Sequence, residues 1–374
     1  YMEGEDREAD AVIARWGISV DEESWTWWDV VDKLFELGDT HGAHLAQRNA
    51  VPKLEDVAVV VRSPQVHDLF GKARTQTGEN LIDVFQRMVS NALKEYPILT
   101  CPTRLDLGDA RIVALDLDEA APRGSGPAEK QTALVYMLGR FVLARDFYLN
   151  ERQLEYFPKE YRSYHSKRIR RIRETPKRIV YDEFHRTQSS DEVRQQVVLD
   201  MREGRKWGVQ IVLASQLLDD FDDDMVKMAT GVFIMGAPNE KAAEECRKTF
   251  GLSETAVQII KRVLHGPGKG GAPFLANLLL KDGRHEHLLY NTLGPTELWA
   301  FSTTAQDSAL RNNLYAILGP QEARRRLAKR YPGGSAVPEI ERRVAKMMEE
   351  GEAGSDEASG SVIDSLAEEI VKSD

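Results

Sequence analysis

Two adjacent carboxylates follow an apolar run in the sequence RIVYDEFHRT, which covers residues 178–187. Residues 179–181 are typical of a buried strand, and Asp182 and Glu183 come directly after them. In nucleoside triphosphatases, a carboxylate pair at a strand end holds Mg²⁺ and activates the water that attacks the γ-phosphate. We therefore expect Asp182 to engage Mg²⁺ through its water shell and Glu183 to activate the water.

The next predicted strand also ends in polar side chains. The sequence REGRKWGVQIVLASQ reaches Ser215 and Gln216 after its apolar run. If the two strands are parallel neighbours, their carboxyl ends meet at one edge of the sheet, and Gln216 lies beside Glu183. An amide there can sense the γ-phosphate or orient the attacking water. A strand ending in DE, a helix and a strand ending in SQ form a more specific pattern than the DE pair alone.

A competing magnesium strand lies earlier in the chain. The sequence IVALDLDEA places Asp116, Asp118 and Glu119 after an apolar run. The later pair is favoured, because a helix and the strand that ends in SQ follow it.

A basic cluster ends the helix between the two favoured strands. Arg202, Arg205 and Lys206 lie there. One of these cations could act as an arginine finger on the phosphate of a neighbouring subunit. Alternatively, the three cations complement the dipole at the helix C-terminus, and the spacing leaves both interpretations open.

Helical patterns dominate the first hundred residues. Ser19 and Glu22 form a capping-box signal before WTWWDVVDKLFELG, and residues 79–96 show a second helical pattern. We expect the tryptophans of the first pattern to pack, although a stacking platform for a ligand is the alternative. These observations predict an all-helical subdomain over residues 1–100.

Strands alternate with helices from Cys101 onward. Predicted strands cover residues 110–120, 178–181, 209–216 and 229–236, with a buried helix over 133–147 and a helix capped by Ser189 and Glu192. Such alternation predicts a parallel sheet covered on both faces, and hence an α/β core over residues 101–320.

The C-terminal third carries different signals. A β-hairpin is predicted around Asp282 and Gly283, and a further strand over residues 296–304. A basic helix is predicted within residues 321–350. Residues 351–374 combine an acidic low-complexity linker with a short amphipathic end, and we expect a solvated tail there.

Composition restricts the function classes. The net charge of −10 argues against a general nucleic-acid coat, because non-specific DNA affinity comes mainly from basic residues. Two cysteines, Cys101 and Cys246, fit semi-buried thiols in a reducing compartment.

No apolar run is long enough to span a bilayer, so we do not expect an integral membrane protein. The chain lacks a signal-peptide pattern and an initial methionine, and we expect a fragment or processed form.

The connector SKRIRRIRETPKR has seven basic residues between Lys167 and Arg178. It could line a DNA channel, dock an acidic partner protein or be a solvated loop, and we rank protein docking first.

The pair His285 and His287 lies on one strand face without a third ligand in view, which disfavours a zinc site. The acidic sequence FDDDM is typical of a helix N-terminal cap.

Three segments together resemble a known family: RIVYDEFHRT, MREGRKWGVQIVLASQ and TELWAFSTTAQDSALRNNL. They are similar to the hexameric translocase ATPases of the FtsK/HerA superfamily, within it to the type IV secretion and conjugation ATPases, and most of all to the DotO/IcmB and plasmid TraU branch. The resemblance covers residues 101 to about 338. The helical first hundred residues match the insertion that these proteins carry between the phosphate loop and the magnesium strand.

This resemblance implies a RecA-like P-loop NTPase sheet that uses ATP and Mg²⁺. By the match of motifs, Asp182 is the magnesium carboxylate, Glu183 the catalytic carboxylate and Gln216 the sensor amide beside Ser215. Arg205 is then the first finger candidate, with Arg202 and Lys206 behind it. The resemblance further implies a homo-hexamer that energises secretion or conjugative transfer. It would be cytoplasmic and peripheral at the bacterial inner membrane, with other secretion-system ATPases and inner-membrane components as partners, and with a DNA contact through residues 167–178 as a further option.

One family element is missing from the sequence. No GxxxxGK[ST] motif occurs, and the string GPGKGG at residues 266–271 lacks the hydroxyl residue and leads into a hairpin. The sequence GKARTQTGEN near Gly71 fails as well. We therefore expect an incomplete sheet that lacks the Walker A strand, with that strand upstream in a longer polypeptide. The chain alone should then hydrolyse ATP hardly at all. The rival functions are a DNA translocase or helicase of the HerA type and a non-catalytic docking scaffold.

Overall fold

The computed structural model describes residues 4–20, 24–100, 107, 110–117, 119–122, 124, 126–188, 190–268, 270–349 and 355–373. The chain divides into two compact units, Tyr1–Gln216 and Leu217–Asp374. The fold is mixed α/β, as the sequence predicted at this coarse level.

The described part of the first hundred residues contains six α-helices: α1 (Arg7–Trp16), α2 (Trp27–Glu36), α3 (Thr40–Ala50), α4 (Leu54–Val60), α5 (Pro64–Phe70) and α6 (Leu81–Glu95). The predicted helical character is confirmed. Thr26 and Asp29 form the capping box of α2, whereas Glu22 of the predicted box lies outside the described residues. Trp27 packs in a core cluster with Val30 and Leu34, so this tryptophan has a structural role.

The remainder of the first unit contains α7 (Pro127–Ala144), α8 (Lys159–Glu174), β1 (Lys177–Tyr181), α9 (Asp191–Trp207) and β2 (Val209–Leu213). The predicted connector around the basic residues is the helix α8. The predicted strand over 110–120 was wrong, because its described residues form no strand and Ile112 is 94% exposed. An extended run needs a neighbouring strand for its backbone groups, and this run has none among the described residues. Asp118 lies outside them.

Strands β1 and β2 form a parallel pair, with Lys177 opposite Val209 and Tyr181 opposite Leu213. Helix α9 connects them and approaches β2 closely at Gly204, where an added Cβ would lie 2.5 Å from the carbonyl oxygen of Val209. Ser190 caps α9 by accepting from the amide of Val193. The predicted cap Ser189 lies outside the described residues.

The second unit contains α10 (Asp223–Met228), β3 (Gly231–Ile234), α11 (Glu240–Phe250), α12 (Glu254–Arg262), β4 (Ala272–Leu280), β5 (Gly283–Asn291), α13 (Pro295–Ala300), α14 (Ala305–Leu318), α15 (Pro320–Arg330), α16 (Val337–Glu349) and α17 (Ser355–Lys372). Strand β3 was expected to continue the parallel sheet, and this was wrong. It pairs antiparallel with β4, which pairs antiparallel with β5. The long hairpin thus offers β3 a partner within its own unit.

Local predictions in this unit had mixed outcomes. The hairpin is confirmed, with Lys281 and Asp282 as its turn. Asp222 occupies the N-cap position of α10 without a side-chain capping hydrogen bond, and Asp223 and Asp224 lie in the first turn, so the predicted acidic helix N-terminus is confirmed. The predicted strand over 296–304 was wrong: Pro295 begins α13, and Trp299 is fully buried. The residue pattern of a short apolar run does not distinguish a buried strand from a buried helical turn.

The predicted solvated tail was also wrong. Helix α17 buries one face in a cluster with α13 to α16, through Val362, Leu366 and Ile370. Arg343 and Arg330 both pair with Glu369 at the edge of this cluster, at 2.6 Å each. The acidic end of the chain is therefore part of the core of the second unit.

Candidate functional site

The carboxyl ends of β1 and β2 stay side by side beyond the last strand residues. The amide of Ala214 donates to the carbonyl oxygen of Tyr181 at 2.9 Å, and the amide of Phe184 donates to that of Ala214 at 2.8 Å. Phe184 is fully buried, which anchors the chain directly after the two carboxylates. The backbone therefore brings residues 182–183 beside residues 215–216.

Glu183 and Gln216 are in direct contact. The Gln216 Nε2 atom donates to the Glu183 Oε2 atom at 3.2 Å. Within the residues that the structure describes, Glu183 is the one non-glycine residue with a positive φ, at 51°. Such left-handed geometry is costly for a residue with a Cβ and is concentrated at functional sites. The structure thus brings together the two residues that the strand pattern predicted to be neighbours.

Asp182 is exposed at the same edge. Its Oδ1 atom accepts from the amide of Glu183 at 3.0 Å. The described residues contain no group of three or more His, Cys, Asp or Glu side chains that could hold a metal ion. A single carboxylate fits Mg²⁺, which keeps several waters and takes further ligands from substrate phosphates. Asp182 is therefore the residue that would hold this ion, and the bound ion would neutralise phosphate charge.

His185 joins the site, although the sequence analysis did not single it out. Its Nδ1 atom lies 3.1 Å from the Glu183 Oε2 atom, and its amide donates to the Ser215 Oγ atom at 3.1 Å. Ser215 thus contributes by fixing the turn after Glu183. The sequence contained one signal for His185, since DEFH places an imidazole two residues after the carboxylate.

A buried ion pair lies under the parallel strands. The Arg140 guanidinium donates to both carboxylate oxygens of Asp200, at 2.6 and 2.5 Å. Tyr148 and Gln196 each donate to the Oδ1 atom of Asp200 at 3.1 Å. Burial is the largest cause that raises the pKa of Tyr148 to about 12, and the charge of Asp200 is the second. Burial also raises the pKa of Tyr181, the residue before Asp182. The network ties α7 to α9, and α9 packs against β2.

The basic cluster lies away from the carboxylates. Arg202, Arg205 and Lys206 are exposed in the last turns of α9, directly before β2 begins. Gln216 follows the opposite end of β2, and a five-residue strand is about 16 Å long. The structure does not bring these cations to the carboxylates of the same chain.

Of the competing strand, Asp116 and Glu119 are described and lie in irregular chain. The described helices include none long and apolar enough to cross a membrane.

No family model matches the chain, and neither a curated protein nor a solved structure gives a match.

Proposed function

We propose that Asp182, Glu183 and Gln216 form the hydrolytic half of a Mg-ATP site in a motor ATPase. The observation that carries the proposal is the hydrogen bond between Gln216 and Glu183 at the carboxyl edge of a parallel strand pair, with Asp182 beside it. Ligands of open α/β sheets bind at that edge. Asp182 would hold the hydrated Mg²⁺, and Glu183 would take the proton of the water that attacks the γ-phosphate.

The amide gives Glu183 a fixed orientation. Gln216 and His185 both approach the Oε2 atom of Glu183, which leaves the Oε1 atom to accept a hydrogen bond from water. Movement of the Gln216 side chain toward a γ-phosphate would release Glu183, which is how an amide reports the nucleotide state. This arrangement supports the sensor role of Gln216.

The phosphate-binding half of the site comes from outside these 374 residues, since the sequence contains no GxxxxGK[ST] motif. The bare surface of the parallel pair supports this part of the proposal. Val180 is 57% exposed on the face of β1 opposite Tyr181. Parallel sheets are normally covered on both faces, and further strands would complete the RecA-like sheet.

The wider function follows from the family resemblance. The complete protein is a homo-hexamer at the cytoplasmic face of a bacterial inner membrane, where it energises type IV secretion or conjugative transfer. It works beside other secretion ATPases and inner-membrane components. Arg205 would reach the phosphate of a neighbouring subunit, and its location at the far end of β2 suits action in trans rather than in cis.

Nucleotide titration tests whether the chain holds only the carboxylate half of the Mg-ATP site, with the phosphate loop outside it. We expect calorimetry of Mg-ATP with this chain alone to show no saturable binding up to about 1 mM nucleotide. A polypeptide that adds the upstream part of its reading frame should bind Mg-ATP in the micromolar range, because the loop amides and lysine carry most phosphate contacts.

Two results would contradict the proposal in different ways. An upstream sequence without a phosphate loop, together with no nucleotide binding by the extended polypeptide, would remove the ATPase assignment. The chain alone could instead show saturable Mg-ATP binding that is lost in Asp182→Ala. This result would support the magnesium site but contradict the claim that the phosphate loop lies outside the chain. Arg178→Gln, on the other end of β1, serves as the control.

A DNA-translocating motor is the second candidate, and the basic helix α8 supports it. Lys167, Arg170 and Arg173 are exposed, whereas Arg168 pairs with Asp146 and is half-buried. About four phosphate contacts would reduce duplex affinity roughly a hundredfold between 50 and 200 mM salt. Because the net charge is −10, we expect fluorescence anisotropy to detect no duplex binding at the higher salt. Binding with that salt slope, lost in Arg170→Glu, would favour the DNA motor.

A further inference from the structure

A cavity of about 140 Å³ lies in the first unit, between α2, α3 and the start of α8. It is separate from the carboxylate site and includes none of its residues. An engineered apolar cavity of similar volume holds a benzene molecule, so this one has room for a small ligand group. Its aromatic walls come from Trp28, Phe35, Phe157, Tyr161, Tyr164 and His165.

The rings of these walls are set at steep angles to one another. The Phe35 ring lies 4.7 Å from that of Tyr161 at 75°, and 5.7 Å from that of Tyr164 at 84°. Trp28, another wall residue, is 43% exposed. These edge-to-face contacts hold the aromatic wall residues against one another, and aromatic faces carry partial negative charge.

Carboxylates add negative charge next to this cavity. The hydroxyl of Tyr161 donates to the Oδ1 atom of Asp32. Burial raises the pKa of Tyr161, and the charges of Asp32, Glu160 and Glu36 raise it further. Glu36 pairs with Lys33 at 3.2 Å. The Asp32 carboxylate, which accepts from the Tyr161 hydroxyl, therefore places a negative charge beside this wall of the cavity.

His165 itself brings no positive charge to the cavity. Burial lowers the pKa of His165, and the nearby basic groups of Arg168 and His44 lower it further, so the imidazole is neutral at pH 7. The Phe157 ring stacks on it at 4.0 Å. Its Nδ1 atom is buried and has no hydrogen-bond partner among the described residues. The His165 Nδ1 atom is therefore available for a hydrogen bond with a polar group of a ligand in the cavity.

We propose that this aromatic cavity binds an organic ammonium group of the trimethylammonium type. Such a group is large, weakly hydrated and charged, and aromatic cages attract it through the ring faces. The cavity volume suits one such group, and Asp32 adds attraction at the Tyr161 wall. The group could belong to a free small molecule or to a methylated lysine of a peptide, and the chemistry is the same in both cases.

Paired ligands test the charge requirement. Choline and its neutral isostere 3,3-dimethyl-1-butanol have nearly the same shape, and calorimetric titration of the whole chain compares them. We expect choline to bind in the millimolar range or tighter, and at least about tenfold more tightly than the isostere. No binding of choline at about 10 mM, or equal binding of the two ligands, would overturn the proposal.

Variants locate the site. Asp32→Asn keeps an acceptor for the Tyr161 hydroxyl but removes the charge, and it should weaken choline binding about threefold or more. Trp28→Leu keeps an apolar border but removes the ring face, and it should weaken binding about fivefold. Asp68→Asn and Phe85→Leu change exposed residues outside the cavity and should have no effect. Choline binding that all four variants leave unchanged would place the ligand elsewhere and overturn the assignment.

The source of the group is decided with a second probe. An acetylated trimethyl-lysine amide is titrated against choline under the same conditions. Tighter binding of the lysine derivative would support a methylated peptide as the ligand, and tighter binding of choline a free small molecule. Failure of both probes would contradict the cavity assignment and leave the ATPase proposal untouched, because no residue is shared.

Discussion

Glu183→Gln is expected to lower ATP hydrolysis by the assembly that includes the phosphate loop by about 10²- to 10⁴-fold. The amide has almost the shape of the carboxylate, and its oxygen still accepts from Gln216, so the strand-end geometry survives. It cannot take a proton from the attacking water. Because Asp182 and the phosphate loop carry the binding of Mg-ATP, we expect nucleotide affinity to change by less than about threefold.

Single-turnover hydrolysis of γ-labelled ATP measures the chemical step, and equilibrium titration measures affinity separately. Glu203→Gln is the matched control, because Glu203 is an exposed glutamate near the far end of α9. It should leave both quantities unchanged. Hydrolysis by Glu183→Gln within about threefold of the unsubstituted rate would show that Glu183 is not the base. The carboxylate edge would then need another function, with the docking scaffold as the first candidate.

The candidate site was accessible to sequence analysis because its parts are close in sequence. Strand β1, helix α9 and strand β2 follow one another in the chain, and the crossover through α9 makes the two strands parallel neighbours. Once the strands are neighbours, Glu183 and Gln216 must meet at their carboxyl ends. His185 was missed because its contact with Glu183 depends on the positive φ at that residue, which no residue pattern signals.

Predictions failed where long-range pairing decides the structure. The apolar run of β3 is compatible with a parallel or an antiparallel neighbour, and only the distant hairpin determines which one it takes. The acidic composition around α17 indicated a solvated tail, but Leu366 and its neighbours complete a core built from four earlier helices. Burial of that face outweighs the local composition. In both cases, the deciding contact lies outside the window that a pattern covers.

Asp200→Ala is expected to destabilise the first unit by about 3 to 5 kcal/mol. The carboxylate is almost fully buried and receives two donor atoms of Arg140 and one each of Tyr148 and Gln196. Its removal leaves a guanidinium that is 17% exposed without its counter-charge, as well as two donors without an acceptor. Burial of an unpaired charge costs more than the ion pair itself contributes.

Urea unfolding, followed by circular dichroism, measures this loss, and a double variant separates its causes. Arg140→Met combined with Asp200→Leu removes both charges and fills the space, so we expect it to lose much less stability than Asp200→Ala alone. Glu203→Ala, an exposed substitution on the same helix, should change the free energy of unfolding by less than about 0.5 kcal/mol. If the single and double variants lost equal stability, the cause would be lost packing rather than an unpaired buried charge. Asp200 lies on α9, which packs against β2, so a loosened network would also move the carboxylate edge. Weaker Mg-ATP binding by Asp200→Ala in the complete assembly would reveal that coupling.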